Sequence, residues 1–260
     1  MRSPNYIMDK SEEYSRLEKQ SLIDGYCYKE ELRNFSLRNK KKILDAGCGT
    51  GMVSRYLEST LPNSEIHACD FSELRLKQAQ NTDPNSRINY FHSDLLKIDQ
   101  PDHSYDFIFC RFVYEYLSHP VEVTEEFRRV LNPNGQICLV DTDGCFINLW
   151  SENAELQSYI ETLRRNLTVD LFAGRKLSIY LKKAGFKNIK WTMTSHTFQG
   201  IQRQLELENN IQRLHLAKEE LTSALGSHED YERFCKLYIE EQKKDESTLF
   251  LNKFIASATF

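Results

Sequence analysis

The 260-residue sequence contains no apolar run of about 18 residues or more, whereas a helix needs about 20 to cross a hydrocarbon core. No membrane span is therefore expected. The opening stretch Met1-Arg2-Ser3-Pro4-Asn5-Tyr6 leads into charge instead of an apolar segment, so a secretory signal is not expected either, and the chain reads as cytoplasmic. No C-x-x-C pair occurs among the seven cysteines, at 27, 48, 69, 110, 138, 145 and 235. Their odd number and spacing argue against a zinc site and against a disulfide framework, and no metal is expected. Cys48, Cys69, Cys110 and Cys138 read as small buried hydrophobes in or beside strands. The chain also lacks a surplus of positive charge: its net charge is -4 and its pI is near 6.0, the opposite of a general nucleic-acid binder. The densest basic run, Arg38-Asn39-Lys40-Lys41-Lys42, reads as a solvated lead-in to the first strand. No internal repeat or low-complexity segment stands out.

What is present is an ordinary globular composition, 40% hydrophobic and 28% charged, sized for one large α/β domain. Residues 9–37 read as helical, with Tyr14, Leu17, Leu22, Tyr26 and Leu32 among frequent charges. Strands are expected at 42–46, 65–70, 88–92, 105–110 and 136–140, and helices at 52–60, 72–80 and 121–131. Asn132-Pro133-Asn134-Gly135 reads as a turn before the fifth strand. Strands and helices alternating in this way specify a mostly parallel sheet covered on both faces, with ligands at the C-terminal strand ends. Further on, 151–167 and 176–184 read as helices, the second ended by Gly185, and 186–197 as a strand. Leu207, Ile211, Leu214, Leu221 and Leu225 form one stripe of a long helix. A second helix is expected over 229–243, and a last strand over 249–260. The two helices form an insertion between the last two strands, over the ligand edge.

Chemistry concentrates where the first strand runs into Asp45-Ala46-Gly47-Cys48-Gly49-Thr50-Gly51. Glycines there let a ligand approach the main chain at a helix N-terminus. A dinucleotide fingerprint would place glycine at position 52, where Met52 stands, which disfavours an NAD-dependent dehydrogenase. Asp70 ends the second strand, where a carboxylate can accept hydrogen bonds from both hydroxyls of a ribose or, alternatively, cap the following helix. Asp94 beside Leu95 suits an adenine amino group and ring face, or is simply a loop aspartate.

Taken together, these residues resemble the class I S-adenosylmethionine-dependent methyltransferases over about residues 40–145. The motif Ile43-Leu44-Asp45-Ala46-Gly47-Cys48-Gly49-Thr50-Gly51 is similar to the family's glycine motif. The resemblance implies a doubly wound, seven-stranded, mostly parallel Rossmann-like sheet in a single domain, with an N-terminal helical lid (1–39), a cofactor-binding core (40–145) and a substrate-side half (146–260). The last part carries a helical cap over 200–245. It implies S-adenosylmethionine as cofactor, S-adenosylhomocysteine as its product, and cofactor contacts from Asp45, Gly47, Cys48, Gly49 and Gly51. Asp70 and Phe71 map to the ribose acid and its neighbour, Asp94 and Leu95 to the adenine pair, and Cys110 and Arg111 to the methionine end. Phe127-Arg128-Arg129-Val130-Leu131-Asn132-Pro133-Asn134-Gly135-Gln136 resembles a structural segment of the same family. More narrowly, Arg16-Leu17-Glu18-Lys19-Gln20 and Gly174-Arg175-Lys176-Leu177 resemble segments of the ubiquinone/menaquinone-biosynthesis methyltransferases. That likeness makes the N-terminal helix a lid over the cofactor, with Tyr14 and Gln20 as contacts or as ordinary packing residues.

Methyl transfer from a sulfonium is an in-line displacement, in which positioning can contribute on the order of 7–11 kcal/mol. A base is needed only where the acceptor must lose a proton. Candidates near the strand ends are His119, Tyr114, Glu115, Asp141 and Asp143, although His119 before Pro120 also reads as a helix-start residue. Asp143, Trp150 and Arg175 are candidate substrate contacts, and Phe146, Phe172 and Tyr180 candidate pocket walls. The expected acceptor is a small molecule. The competing readings are methylation of a protein or nucleic acid, and a non-catalytic cofactor-binding module. Against amino-directed nucleic-acid methylation, Cys110-Arg111-Phe112-Val113 stands where a Pro-Pro-Tyr signature would fall.

Overall fold

The computed structural model describes residues 6–260; Met1 to Asn5, on which part of the leader and lid readings rests, lie outside the described residues. The chain begins with helices α1 (Glu13–Gln20) and α2 (Tyr28–Leu32), then enters strand β1 (Lys42–Ala46). The core continues as α3 (Met52–Thr60), β2 (Glu65–Asp70), α4 (Glu73–Thr82), β3 (Asn89–His92), β4 (Tyr105–Arg111), α5 (Pro120–Val130) and β5 (Leu131–Asp143). The second half adds α6 (Ala154–Asn166), α7 (Leu177–Lys183), β6 (Lys187–Thr197), α8 (Gly200–Leu216), α9 (Lys218–Leu225), α10 (His228–Lys243) and β7 (Phe250–Thr259).

The seven strands form one sheet in the order β3-β2-β1-β4-β5-β7-β6. Only β7 runs against the others, pairing antiparallel with both β5 and β6. This is the doubly wound, mostly parallel Rossmann-like sheet the sequence leads one to expect. Successive side chains of a strand point to opposite faces, so a central parallel strand must be apolar on both. Leu44, Ile108, Cys110, Ile137 and Leu139 accordingly pack with Val123 and Phe127 of α5 and Leu177 and Leu181 of α7. Their neighbours Ile43, Phe107, Phe109, Cys138 and Val140 pack on the opposite face with Leu57 of α3.

Three expectations need correction. The helix expected over 9–37 is two, because the chain turns at Gly25 (φ +87°), where an added Cβ would lie 2.8 Å from His196 Cγ. The long helix after residue 200 is also two. Ala217 leaves helical geometry (φ -87°, ψ 12°), and the bend brings Leu214, Leu216, Leu221 and Leu225 into one cluster with Phe234 and Tyr238 of α10. The cap is therefore three helices rather than two, and Ile211 of the supposed stripe is 39% exposed. Finally, 132–135 is a bulge inside β5 and not a turn before it: Leu131 pairs with Tyr105 and Gln136 with Phe107.

Candidate functional site

The glycine turn leaves β1 at the C-terminal edge of the sheet. Amides of Gly47 and Cys48 both donate to the Cys69 carbonyl, at 2.8 and 2.9 Å, which ties the turn to the end of β2. Gly47 has φ +73°, and a Cβ built there would come within 2.4 Å of Val113 Cγ2. Only glycine permits both that backbone and that approach. The contact also brings the chain leaving β4 beside the turn. At Gly49, by contrast, a Cβ would meet no protein atom within 4 Å. The main chain is bare there, where it lines a cavity of about 550 Å³.

Asp70 links the two loops at this edge. Its carboxylate accepts from the Gly49 amide at 2.8 Å and from the Ser72 amide at 2.8 Å. Ser72 also caps α4 through a bond from the Arg75 amide, so the cap reading of this corner belongs to Ser72. Burial raises the Asp70 pKa. Asp45, buried at the end of β1, accepts from Ser54 Oγ at 2.5 Å. Burial pushes its carboxyl up to about 6, against the opposing effect of the Ser54 bond.

The cavity brings together Asp45, Gly47, Cys48, Gly49, Asp70, Phe71, Leu95, Arg111 and Gln20 of the expected cofactor contacts, with Asp143 and Phe146 of the expected substrate side. It does not include the others. Gly51 faces Tyr90 and Ala79 and serves as the left-handed residue before α3. Asp94 folds back, accepting from the Leu96 amide at 2.9 Å. Cys110 alternates with Arg111 along β4 and points into the core. Tyr14 lies on the outer side of α1, with its hydroxyl 3.1 Å from Thr82 Oγ1 of α4.

Tyr114 is buried away from the cavity, its hydroxyl 2.7 Å from Thr124 Oγ1 and its ring stacked on Tyr180. Asp141, on β5, is fully buried and accepts from the amides of Thr142 and Glu115. His119 lies outside, 3.6 Å from Glu122, at the start of α5. Trp150 is 74% exposed and lines no part of the cavity. Arg175 is held outside by an ion pair with Asp143, and its guanidinium covers the Phe172 ring. Of the sequence's possible bases, Glu115 alone meets the cavity with a carboxylate that no salt bridge reaches among the described residues. It sits on the 3-10 turn Tyr114–Tyr116, two residues beyond Val113. Burial pushes its carboxyl up to about 7, with a Tyr116 hydrogen bond, Arg213 and Arg16 pulling the other way.

Reading the sequence alone misses the charged lid. Arg16 of α1 is buried, pairing with Glu13 and donating to Gln20 and Asn209. Arg213 of α8 pairs with Glu206 at 3.2 Å and donates to the Tyr26 hydroxyl at 2.9 Å. Arg16 lies one helical turn from Gln20, and Glu206 two turns from Arg213, so each pair shares a helix face; that spacing is the signal that could have revealed them. Arg111 joins the same framework: its Nε donates to Glu31 of α2 at 2.7 Å, and Glu31 also receives Lys253 of β7 at 2.9 Å.

This is the fold of the Rossmann-like methyltransferases, and the family model described as "Methyltransferase domain" matches residues 43–135 of the chain. Among curated proteins, the chain is similar to a malonyl-[acyl-carrier protein] O-methyltransferase of Halalkalibacterium halodurans. The two are 31% identical over 110 residues, which is 41% of each chain. It is also similar to a demethylmenaquinone methyltransferase of Listeria welshimeri, 26% identical over 128 residues, covering 48% of this chain and 54% of that one. The chain spans about half, or less, of the length of these relatives. Among solved structures, phosphoethanolamine N-methyltransferase 2 of Haemonchus contortus, in complex with phosphomonomethylethanolamine and S-adenosylhomocysteine, shares the fold. Its TM-score is 0.60 at 17% identity, over 100% of this chain and 60% of that one.

Proposed function

We propose that this chain is an S-adenosylmethionine-dependent methyltransferase acting on a small molecule. One observation carries the reading: a single cavity runs from the bare glycine turn and Asp70 to the carboxylate of Glu115 beneath the α1 and α8 lid. The residues suit the cofactor. Asp70 keeps acceptor capacity for two ribose hydroxyls beyond its two amide bonds, and Phe71 and Leu95 offer apolar surface for a base. Gly47 and Gly49 let the ligand meet the main chain, with Asp45 nearby for its methionine end.

When bound, S-adenosylmethionine supplies a methyl group that leaves sulfur without its bonding electrons, so the acceptor must present a lone pair. The protein orients that acceptor and excludes water around it. The buried lid pairs Arg16–Glu13 and Arg213–Glu206 favour an acceptor small enough to lie beneath them over a macromolecule.

The test is incubation with methyl-labelled S-adenosylmethionine and separated small-molecule, protein and RNA fractions. Label is expected in the small-molecule fraction and lost in Asp70→Ala. Label in protein or RNA would redirect the acceptor assignment, and no transfer to any fraction would leave a binding module.

A further inference from the structure

The acceptor end of the cavity has an uneven charge balance. Arg16 and Arg213 bring two cations, against the carboxylates of Glu13, Glu206 and Glu115. Both guanidiniums are committed to partners: Arg16 to Glu13, Gln20 and Asn209, and Arg213 to Glu206, Asn210 and the Tyr26 hydroxyl. Among the described residues no salt bridge reaches Glu115. A half-buried carboxylate with a Tyr116 hydrogen bond but no cation paired to it leaves a charge that a ligand can supply.

Around it the walls are aromatic. Tyr116 adjoins Glu115 in sequence, and the Tyr6 ring meets the Tyr116 ring edge to face at 4.9 Å. Phe146 and Tyr238 line the same cavity from the segment after β5 and from α10. A carboxylate set among aromatic rings is complementary to a cation and repels an anion.

Resting on the methyltransferase reading, we propose that the acceptor is a primary or secondary amine that enters as the ammonium ion and is held, and then deprotonated, by Glu115. An ammonium nitrogen has no lone pair to give. In the transfer to Glu115 one N–H bond breaks, an O–H bond forms on the carboxylate, and the electron pair stays on nitrogen. Carboxylate acceptors are excluded by the same charge, since both arginines that could receive them are already neutralised.

The groups facing Glu115 are Arg16 from α1, Arg213 from α8, Tyr116 on its own turn, Asp170 from the loop before α7, and Asp141 from β5, which accepts the Glu115 amide. The Tyr116 hydrogen bond and the arginines favour ionisation, while burial and the two aspartates oppose it. With its carboxyl pushed up to about 7, Glu115 is ionised above that pH and can still take a proton near neutrality. Amine binding should therefore tighten as pH rises through about 7.

The test uses the full chain saturated with S-adenosylhomocysteine, titrated calorimetrically with ethanolamine, benzylamine, benzoate and phenol, in two buffers of different ionisation enthalpy. At least one amine is expected to bind, with a proton exchanged that the two buffers reveal, while benzoate does not. Glu115→Gln is expected to weaken amine binding tenfold or more and to abolish the proton exchange, with S-adenosylhomocysteine affinity unchanged within twofold. Glu115→Asp should restore part of both. Preferred binding of benzoate or phenol, amine binding indifferent to Glu115→Gln, or no amine binding to the loaded protein would each overturn the proposal. Failure of S-adenosylhomocysteine itself to bind would instead overturn the methyltransferase reading beneath it.

Discussion

The Gly49 amide donates to Asp70 Oδ2 at 2.8 Å, so one carboxylate holds the glycine turn of β1 against the end of β2. The same side chain is the proposed ribose acceptor. Hydrogen bonds to a charged group contribute about 1.5–3 kcal/mol each. Asp70→Ala should therefore weaken S-adenosylmethionine binding by roughly a hundredfold or more. Equilibrium dialysis with labelled cofactor checks this, and a change of less than threefold would remove Asp70 from the site.

Gly47 supplies a second prediction. Gly47→Ala places a Cβ 2.4 Å from Val113 Cγ2 on a backbone at φ +73°. The strain, of order 1–3 kcal/mol for the backbone alone, should lower Tm and cofactor affinity together. Val113→Ala added to Gly47→Ala relieves the clash but not the dihedral, so recovery should be partial. Full recovery would mean that only space matters at this position.

These two residues belong to the part of the molecule that was legible in the sequence. Asp45 to Gly51 and Asp70 sit at the ends of short buried strands, where composition and glycine spacing leave few alternatives, and β1, α3 and β2 fall on the expected residues. The lid was harder to read. Breaks at Gly25 and Ala217 depend on tertiary contacts, with His196 in one case and with α10 in the other. An amphipathic pattern alone does not record them. Asp94 and Gly51 carry family-like identities, yet a local turn folds the Asp94 carboxylate back, and Tyr90 and Ala79 stand against the backbone at Gly51. Arg16, Glu206 and Arg213 resemble surface charges in sequence, because burial of an ion pair becomes visible only once α1 and α8 meet.

Glu31 holds Arg111 at 2.7 Å and Lys253 at 2.9 Å with its own side chain fully buried. Glu31→Gln leaves two cations around one neutral amide. Breaking a buried ionic cluster in this way costs about 3–5 kcal/mol. A lower midpoint in urea with an unchanged slope is expected, and a midpoint equal to that of the native chain would show that water replaces the carboxylate.

Asp45 sets a pH dependence. Its carboxyl is raised in the folded chain to about 6, from an ordinary 3.8, chiefly by burial. The folded state thus holds this proton more tightly than the unfolded state does. The associated stability is fully present below about pH 4 and is lost as pH rises through about 6, amounting to about 3 kcal/mol at most. Asp45→Asn, which cannot ionise, should show a shallower fall in Tm between pH 4 and 7. Parallel Tm profiles for the two proteins would contradict the assignment.

The cavity bordered by the glycine turn and Asp70 is the proposed binding site of S-adenosylmethionine. Calorimetric titration of the full chain with S-adenosylhomocysteine tests it most directly. Saturable one-to-one binding in the micromolar range is expected, lost in Asp70→Ala while that variant remains folded by circular dichroism. Absence of binding heat with both S-adenosylhomocysteine and S-adenosylmethionine, confirmed by dialysis, would contradict it.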